Sequence, residues 1–340
     1  MLAWLFGQRK DFRPTLSVVP ADMAMRDIGG GHGPSFPFEA SLVWAEDLPT
    51  PDWQAFDVWR AGIEDDTASA SAWMDAERSF VLHLAKALGP PYRVHESADA
   101  FVLSHLDDRR ARVVIDHIGR TRSRVIRLLD GLAERPDLGK DVFLLFAEQD
   151  DYYRYISRYY PEGGEYAGSA GIHINQGCGH FAAHGDDLLH IEPTVVHEMT
   201  HSLVSHLLLP LWLNEGIAVN TERRLCAAPL DYEAAERQAR HRSFWNPQRI
   251  ADFWSGEAFH SPGEQVAELA YDLARQIVQG LATNWPVFRD FALRADFADA
   301  GESAANETLG VGLGELVASV LDLDPQQTPG PSLSPQPAPP

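Results

Sequence analysis

The chain has 340 residues, 45% hydrophobic and 10% aromatic, which excludes a disordered or fibrous protein and allows one large core or two modest ones. Its 28 basic against 49 acidic side chains give a net charge of −21, a surface that repels nucleic acid and anionic lipid. Two cysteines, Cys178 and Cys226, exclude a disulfide framework, and no stretch has the length of an apolar membrane span.

The short apolar run Leu2–Phe6 lacks the core and cleavage pattern of a signal peptide, so a soluble cytoplasmic protein is expected. Residues 1 to about 40 carry Pro14, Pro20, Gly29, Gly33, Pro34 and Pro37 and read as irregular. Glu39 to Trp44 reads as a short strand, and Trp53, Phe56 and Trp59 lie on one helix face. A longer helix is predicted from Ser69 to Leu88, stopped by Gly89-Pro90-Pro91, which is the expected internal boundary. Tyr92 to Ser104 suits a strand or hairpin. Asp107 then caps a helix with apolar positions Ala111, Val114, Ile118, Val125, Leu129 and Leu132. The continuous run Val142–Phe146 predicts a buried strand, followed by a helix through Tyr152, Tyr153, Ile156 and Tyr159 and a strand within Gly168 to Gln176. His173, His180, His184 and His190 crowd the next stretch at spacings that favour solvated loop positions.

His197-Glu198-Met199-Thr200-His201 dominates the second half. Two histidines at i and i+4 lie on one helix face and can meet a single metal ion, while Glu198 sits beside them as a general base. Pro193 is placed as a first-turn residue, and Val196, Met199, Leu203 and Leu207 form the buried stripe. Beyond the break at Leu209-Pro210, a second helix begins with Trp212-Leu213-Asn214-Glu215-Gly216. Its first-turn carboxylate can return to the same ion, completing a His-His-Glu set that leaves one position open. Asp231 to Arg242 reads as a solvated charged helix. The box Ser261-Pro262-Gly263-Glu264 opens a helix through Leu281, Asn284-Trp285-Pro286 opens another, and Leu313 to Leu323 forms the last. From about residue 325 the Pro-rich tail cannot build a core and is expected to be disordered.

From about Tyr92 to Leu323 the sequence resembles the gluzincin metallopeptidases, the superfamily of thermolysin, aminopeptidase N and leukotriene A4 hydrolase. The resemblance lies in the paired histidines, in Trp-Leu-x-Glu-Gly, and in an acidic residue, Glu222, two turns after Glu215. It implies an α+β fold, a thermolysin-like catalytic domain with a small mixed sheet before a mostly helical half. The domain would span 91–324, between an N-terminal extension (1–90) and the tail (325–340). It further implies one zinc held by His197, His201 and Glu215, with Asn214 and Glu222 behind the ligands and Glu198 catalytic. Gly171 and Asn175 match the ends of the family's substrate-binding edge strand, where an extended peptide or protein substrate adds its backbone. The family's aminopeptidases place Glu at the position of Ile174 to hold a free α-amine, so aminopeptidase activity is disfavoured here. A Tyr or His beyond the third ligand stabilises the oxyanion in these enzymes. Tyr271 is the expected donor and His260 its competitor. Two other readings stay open: a catalytically silent zinc-stabilised interaction module, and a zinc hydrolase of a non-peptide bond.

Overall fold

Three aspartates start three of the helices. Asp52, Asp65 and Asp107 accept hydrogen bonds from the backbone N–H groups of Ala55, Ala68 and Arg110 at 2.9, 2.7 and 2.8 Å, satisfying donors that a first helical turn leaves open. The computed structural model describes residues 16–29, 33–136, 138–159, 171–185, 188–226, 234–261 and 264–331. Helices and small sheets combine in an α+β architecture. The chain forms two units: residues up to Gly119 together with Leu138–Leu145, and Arg120 onward without that segment.

The first unit begins with strand β1 (Ser17–Val19). A hairpin of β2 (Leu42–Ala45) and β3 (Leu48–Pro51) leads to helices α1 (Trp53–Arg60) and α2 (Asp66–Leu88). Strands β4 (Arg93–Glu96) and β5 (Ala100–Ser104) follow, then helix α3 (Asp108–Leu128), which belongs to the second unit from Arg120, and strand β6 (Asp141–Phe146). β4 pairs antiparallel with both β1 and β5, whereas β6 runs parallel to β5, so the sheet is mixed. The N-terminal segment, read as irregular, supplies an edge strand. It is tied to α2 by Met25 N–H donating to Ser79 Oγ at 3.2 Å. Three alternating residues are too few for periodicity to register as a strand. Gly89 does end α2, at φ 70°, and both sides of that stop lie in the same unit. Phe36, Phe38, Trp53, Phe56 and Phe80 are buried, so the aromatic helix face is a core face.

The second unit holds α4 (Gln149–Ile156) and the antiparallel hairpin of β7 (Gly171–Ile174) and β8 (His180–His184). After it come α5 (Leu188–Val204), α6 (Leu211–Leu225), α7 (Ala234–Phe244) and α8 (Pro247–Ser255). A short 3-10 turn, Glu257–His260, leads into α9 (Glu264–Leu281), then α10 (Trp285–Arg294), α11 (Glu302–Thr308) and α12 (Leu313–Leu321). α5 begins at Leu188, so Pro193 lies inside it and removes one interior hydrogen bond instead of sitting in the first turn. Val196, Met199 and Leu203 are buried as the periodicity predicts, but Leu207 falls beyond the helix end.

Two expectations for this unit are corrected. Helix α7 is not simply solvated: His241 is fully buried and bonds Asp272 at 2.9 Å while accepting from Trp245 Nε1 at 2.8 Å. The tail is ordered as far as residue 331. Pro325–Gln327 form a 3-10 turn, Thr328 is buried, and Trp254 Nε1 donates to the Pro329 carbonyl at 3.0 Å. A Cβ on Gly314 of α12 would stand 2.7 Å from the Thr328 carbonyl, so the tail lies directly on that helix. A Pro-rich strand without a core of its own can still cover another element's core. Residues 332–340 lie outside the described residues, as do Pro161 to Ala170 and the Pro262-Gly263 pair of the predicted capping box.

Candidate metal centre

Helix α5 carries Val195, Val196, Met199, Leu203 and Val204 into the core, which leaves His197 and His201 one turn apart on an adjoining face. Their rings are 4.8 Å apart and nearly perpendicular. A six-residue connection ends at Pro210, whose extended backbone (φ −64°, ψ 149°) starts α6 in a new direction. Trp212 fixes that start: its ring is buried and its Nε1 donates to the Ala300 carbonyl at 2.9 Å. Three residues on, Glu215 Oε2 reaches His197 Nε2 at 3.2 Å and His201 Nε2 at 3.5 Å.

The Asn-Glu-Gly turn has a packing reason beside its chemical one. Gly216 faces α9, and a Cβ there would stand 2.6 Å from Val278 Cγ2 and 2.7 Å from the Ala274 carbonyl. Only glycine lets the two helices approach so closely. Asn220, one turn further, donates to the Arg275 carbonyl at 2.9 Å and locks the same pair of helices.

The outward nitrogens of both imidazoles are occupied. His201 Nδ1 lies 3.0 Å from Asn214 Oδ1, and His197 Nδ1 lies 3.3 Å from Glu222 Oε2. Protons on both Nδ1 atoms would satisfy these acceptors and leave both Nε2 lone pairs free for a metal ion. One ligand atom from each of His197, His201 and Glu215 lies within 4.8 Å of the others, so this group could hold a metal ion. Two imidazole nitrogens with one carboxylate, each imidazole backed by an acceptor, is a donor set suited to a divalent transition metal.

The electrostatics follow from the crowding. Burial works against charging His197, but hydrogen bonds to Glu215 and Glu222 outweigh it and raise its pKa to about 10. His201 is likewise raised by Glu215 against the cost of burial. The same two imidazoles hold the Glu215 carboxyl well below the usual carboxylate range despite its burial. Glu198 goes the other way: burial raises its pKa, and the neighbouring histidines only partly offset this. A carboxyl displaced upward is a stronger proton acceptor than an ordinary surface glutamate.

Gly171 opens β7 with its backbone so close to the hairpin and α5 that a Cβ would meet Ala182 O at 3.0 Å and Thr194 Cγ2 at 3.1 Å. Asn175 follows the strand and is exposed, while Ile174 between them is fully buried. Among the described strands β7 pairs only with β8 and stands last in the strand order. Tyr271 is half-buried on α9 with its ring edge-on to Phe259 at 5.2 Å. His260 is exposed at the end of its 3-10 turn.

The histidines between the strand and α5 are not solvated loop residues. His180 is fully buried in β8, where its Nδ1–H donates to the Cys178 carbonyl at 2.7 Å and its Nε2 accepts from Tyr155 at 2.6 Å. His184 closes β8 with its ring 5.1 Å from Tyr152. The side chain of His190 lies outside the described residues. His173, expected among the solvated loop histidines, is instead in strand β7. Its backbone N–H donates to Glu198 Oε2 at 2.9 Å, binding the strand to the carboxylate. Burial, then the nearby His201 and His180, push its imidazole down to about 3. The available signal was the alternation in Gly171–Ile174, which sets His173 on the face opposite the two isoleucines. Comparison of the sequence with models of known protein families finds no match, and comparison with curated proteins finds none either.

Proposed function

We propose that the protein is a zinc-dependent metallopeptidase of gluzincin type, hydrolysing peptide bonds in a peptide or protein substrate. The observation that carries this reading is the convergence of His197, His201 and Glu215, with each imidazole backed from α6 and Glu198 beside them. Buried imidazoles sharing a carboxylate fit a cation better than they fit a structural role alone, since a merely structural cluster does not call for Glu198. The small sheet preceding a helical half agrees with the thermolysin-like arrangement.

His197, His201 and Glu215 would hold one zinc ion per chain. Zinc bound there supplies Lewis acidity, polarising a carbonyl and easing the ionisation of water. Glu198 accepts a proton from the attacking water as the new C–O bond forms. It then passes that proton to the leaving nitrogen as the C–N bond breaks. The amide of His173 holds one oxygen of Glu198, which keeps the other free to take the proton. A substrate in extended form adds along the outer edge of β7, between Gly171 and Asn175. Ile174 is buried and uncharged, so nothing at that position selects a free α-amine.

The test is an unbiased peptide library incubated with the purified protein, with and without chelator, beside metal analysis. Cleavage that chelator abolishes and zinc restores is expected. Zinc without cleavage of any peptide would leave a silent module, and cleavage confined to esters would leave a non-peptide hydrolase. Either result would refute the proposal.

A further inference from the structure

We propose that His173 is a catalytic residue of this site, its imidazole donating a hydrogen bond to the carbonyl oxygen of the bond being cleaved. The inference rests on the metallopeptidase reading for its reaction and on the hairpin geometry for its residue. Side chains alternate across a strand, so Gly171 and His173 share one face of β7 and Ile172 and Ile174 the other. The Gly171 face is turned to α5, because a Cβ there would touch Thr194, one helical turn before His197. His173 therefore points its ring toward the helix that carries the paired histidines. Its register partner on β8 is Phe181, and the two rings meet at 4.8 Å with a 42° tilt.

The backbone gives the second bearing. His173 N–H ends on Glu198 Oε2 at 2.9 Å, so the residue that bears the ring is already in contact with the proposed base. Gly179 lies beside the ring: a Cβ there would make an ordinary contact with His173 Nε2 at 3.5 Å. Within the described residues the ring packs at a tilt against Phe181, has no hydrogen-bond partner and is partly exposed. Neither ring nitrogen is sealed in the core without a partner, so an N–H of the imidazole is available to a bound substrate.

The chemistry asks for such a group. As water adds to the carbonyl carbon, the C=O π pair moves onto oxygen, and charge grows there that was absent in the ground state. A neutral imidazole keeps its proton and donates a hydrogen bond that strengthens as the charge develops. The sequence reading placed this role on Tyr271, whose ring lies edge-on to Phe259.

His173→Phe keeps the ring packing and removes the donor, and His173→Gln restores an N–H. Both would be compared with the unaltered protein by zinc content, by kinetics on the best peptide from the library, and by visible titration of the cobalt-substituted protein. The titrants are acetohydroxamate, whose oxygens accept a hydrogen bond, and 2-mercaptoethanol, whose sulfur scarcely does. The expected result is normal zinc content, kcat roughly 10²-fold lower with little change in KM, and partial rescue by Gln. Acetohydroxamate should bind about tenfold more weakly to His173→Phe while the thiol is unaffected, the weakening expected from one lost hydrogen bond to a charged group. The proposal is overturned if His173→Phe matches the unaltered protein in kcat and hydroxamate affinity, if it loses zinc, or if Tyr271→Phe shows the kcat loss instead. Absence of peptide cleavage by the unaltered protein would sink the metallopeptidase reading alone. The hydroxamate and thiol titrations would still decide the donor.

Discussion

Replacing Gly216 by alanine tests whether the contact between α6 and α9 sets the position of Glu215. The added methyl would stand 2.6 Å from Val278 Cγ2 and 2.7 Å from the Ala274 carbonyl. Val278 can turn away, but a helical carbonyl cannot, so the helices must separate. Overpacking of this kind costs about 1–3 kcal/mol, and contact with backbone puts Gly216→Ala at the upper end. Alanine in mid-helix returns about 1 kcal/mol through its better helix propensity. The net loss is about 2 kcal/mol, a fall of roughly 4–8 °C in the melting midpoint for a unit of this size. Gly280→Ala, on the same helix α9 with nothing within 4 Å of its Cβ, is the control and should gain up to about 1 kcal/mol. Urea and thermal unfolding, with metal analysis of each variant, provide the assay. If Gly216→Ala were as stable as the unaltered protein with its metal content unchanged, the close approach would not be what positions Glu215.

Three further expectations can be checked directly. His201→Ala should lose most bound zinc in elemental analysis of the purified protein, and full retention would remove His201 from the ligand set. Glu198→Gln should keep zinc and fold while hydrolysis falls by roughly two or more orders of magnitude, because the amide cannot accept the proton; an unchanged rate would discard the mechanism. Asp272 should give an acid-dependent contribution. Burial works against its carboxylate, but hydrogen bonds from His241, Arg275 and Gln276 outweigh that and hold it well below the usual range. The unfolded chain then binds the proton more readily, so this stability is present at neutral pH and lost as pH falls below about 4. The stability gap between the unaltered protein and Asp272→Asn should narrow on acidification, and a gap constant from pH 7 to pH 3 would contradict this.

The convergence of the candidate ligands was legible because they lie on helices, where spacing translates directly into direction. His197 and His201 at i and i+4, Glu215 after the Pro210 break and Glu222 two turns on all meet in the structure. The helices α2, α3 and α12 were legible for the same reason, through apolar stripes and caps. What escaped depends on contacts distant in sequence. β1 is defined by pairing with β4, and Thr328 is buried by α12, neither of which local pattern reveals. Charge also misled. His180 and His241 are polar by composition yet fully buried, because Tyr155 and Cys178 satisfy the first, and Asp272 and Trp245 the second. A sequence lists donors and acceptors but not which of them meet.

The division of labour between α5 and α6 has a thermodynamic consequence. One helix brings both imidazoles, and the other brings the carboxylate together with both acceptors behind them, Asn214 and Glu222. A cation held by all three groups would need both helices, so its occupancy and the docking of the two helices would be linked equilibria. Free metal at about a hundred times its dissociation constant would add about 2.7 kcal/mol to the docked state. Through Gly216 and Asn220 that stabilisation extends to α9. On the proposed reading, metal supply would then set not only whether the centre is filled but how often the helical half opens to solvent, proteases and hydrogen exchange.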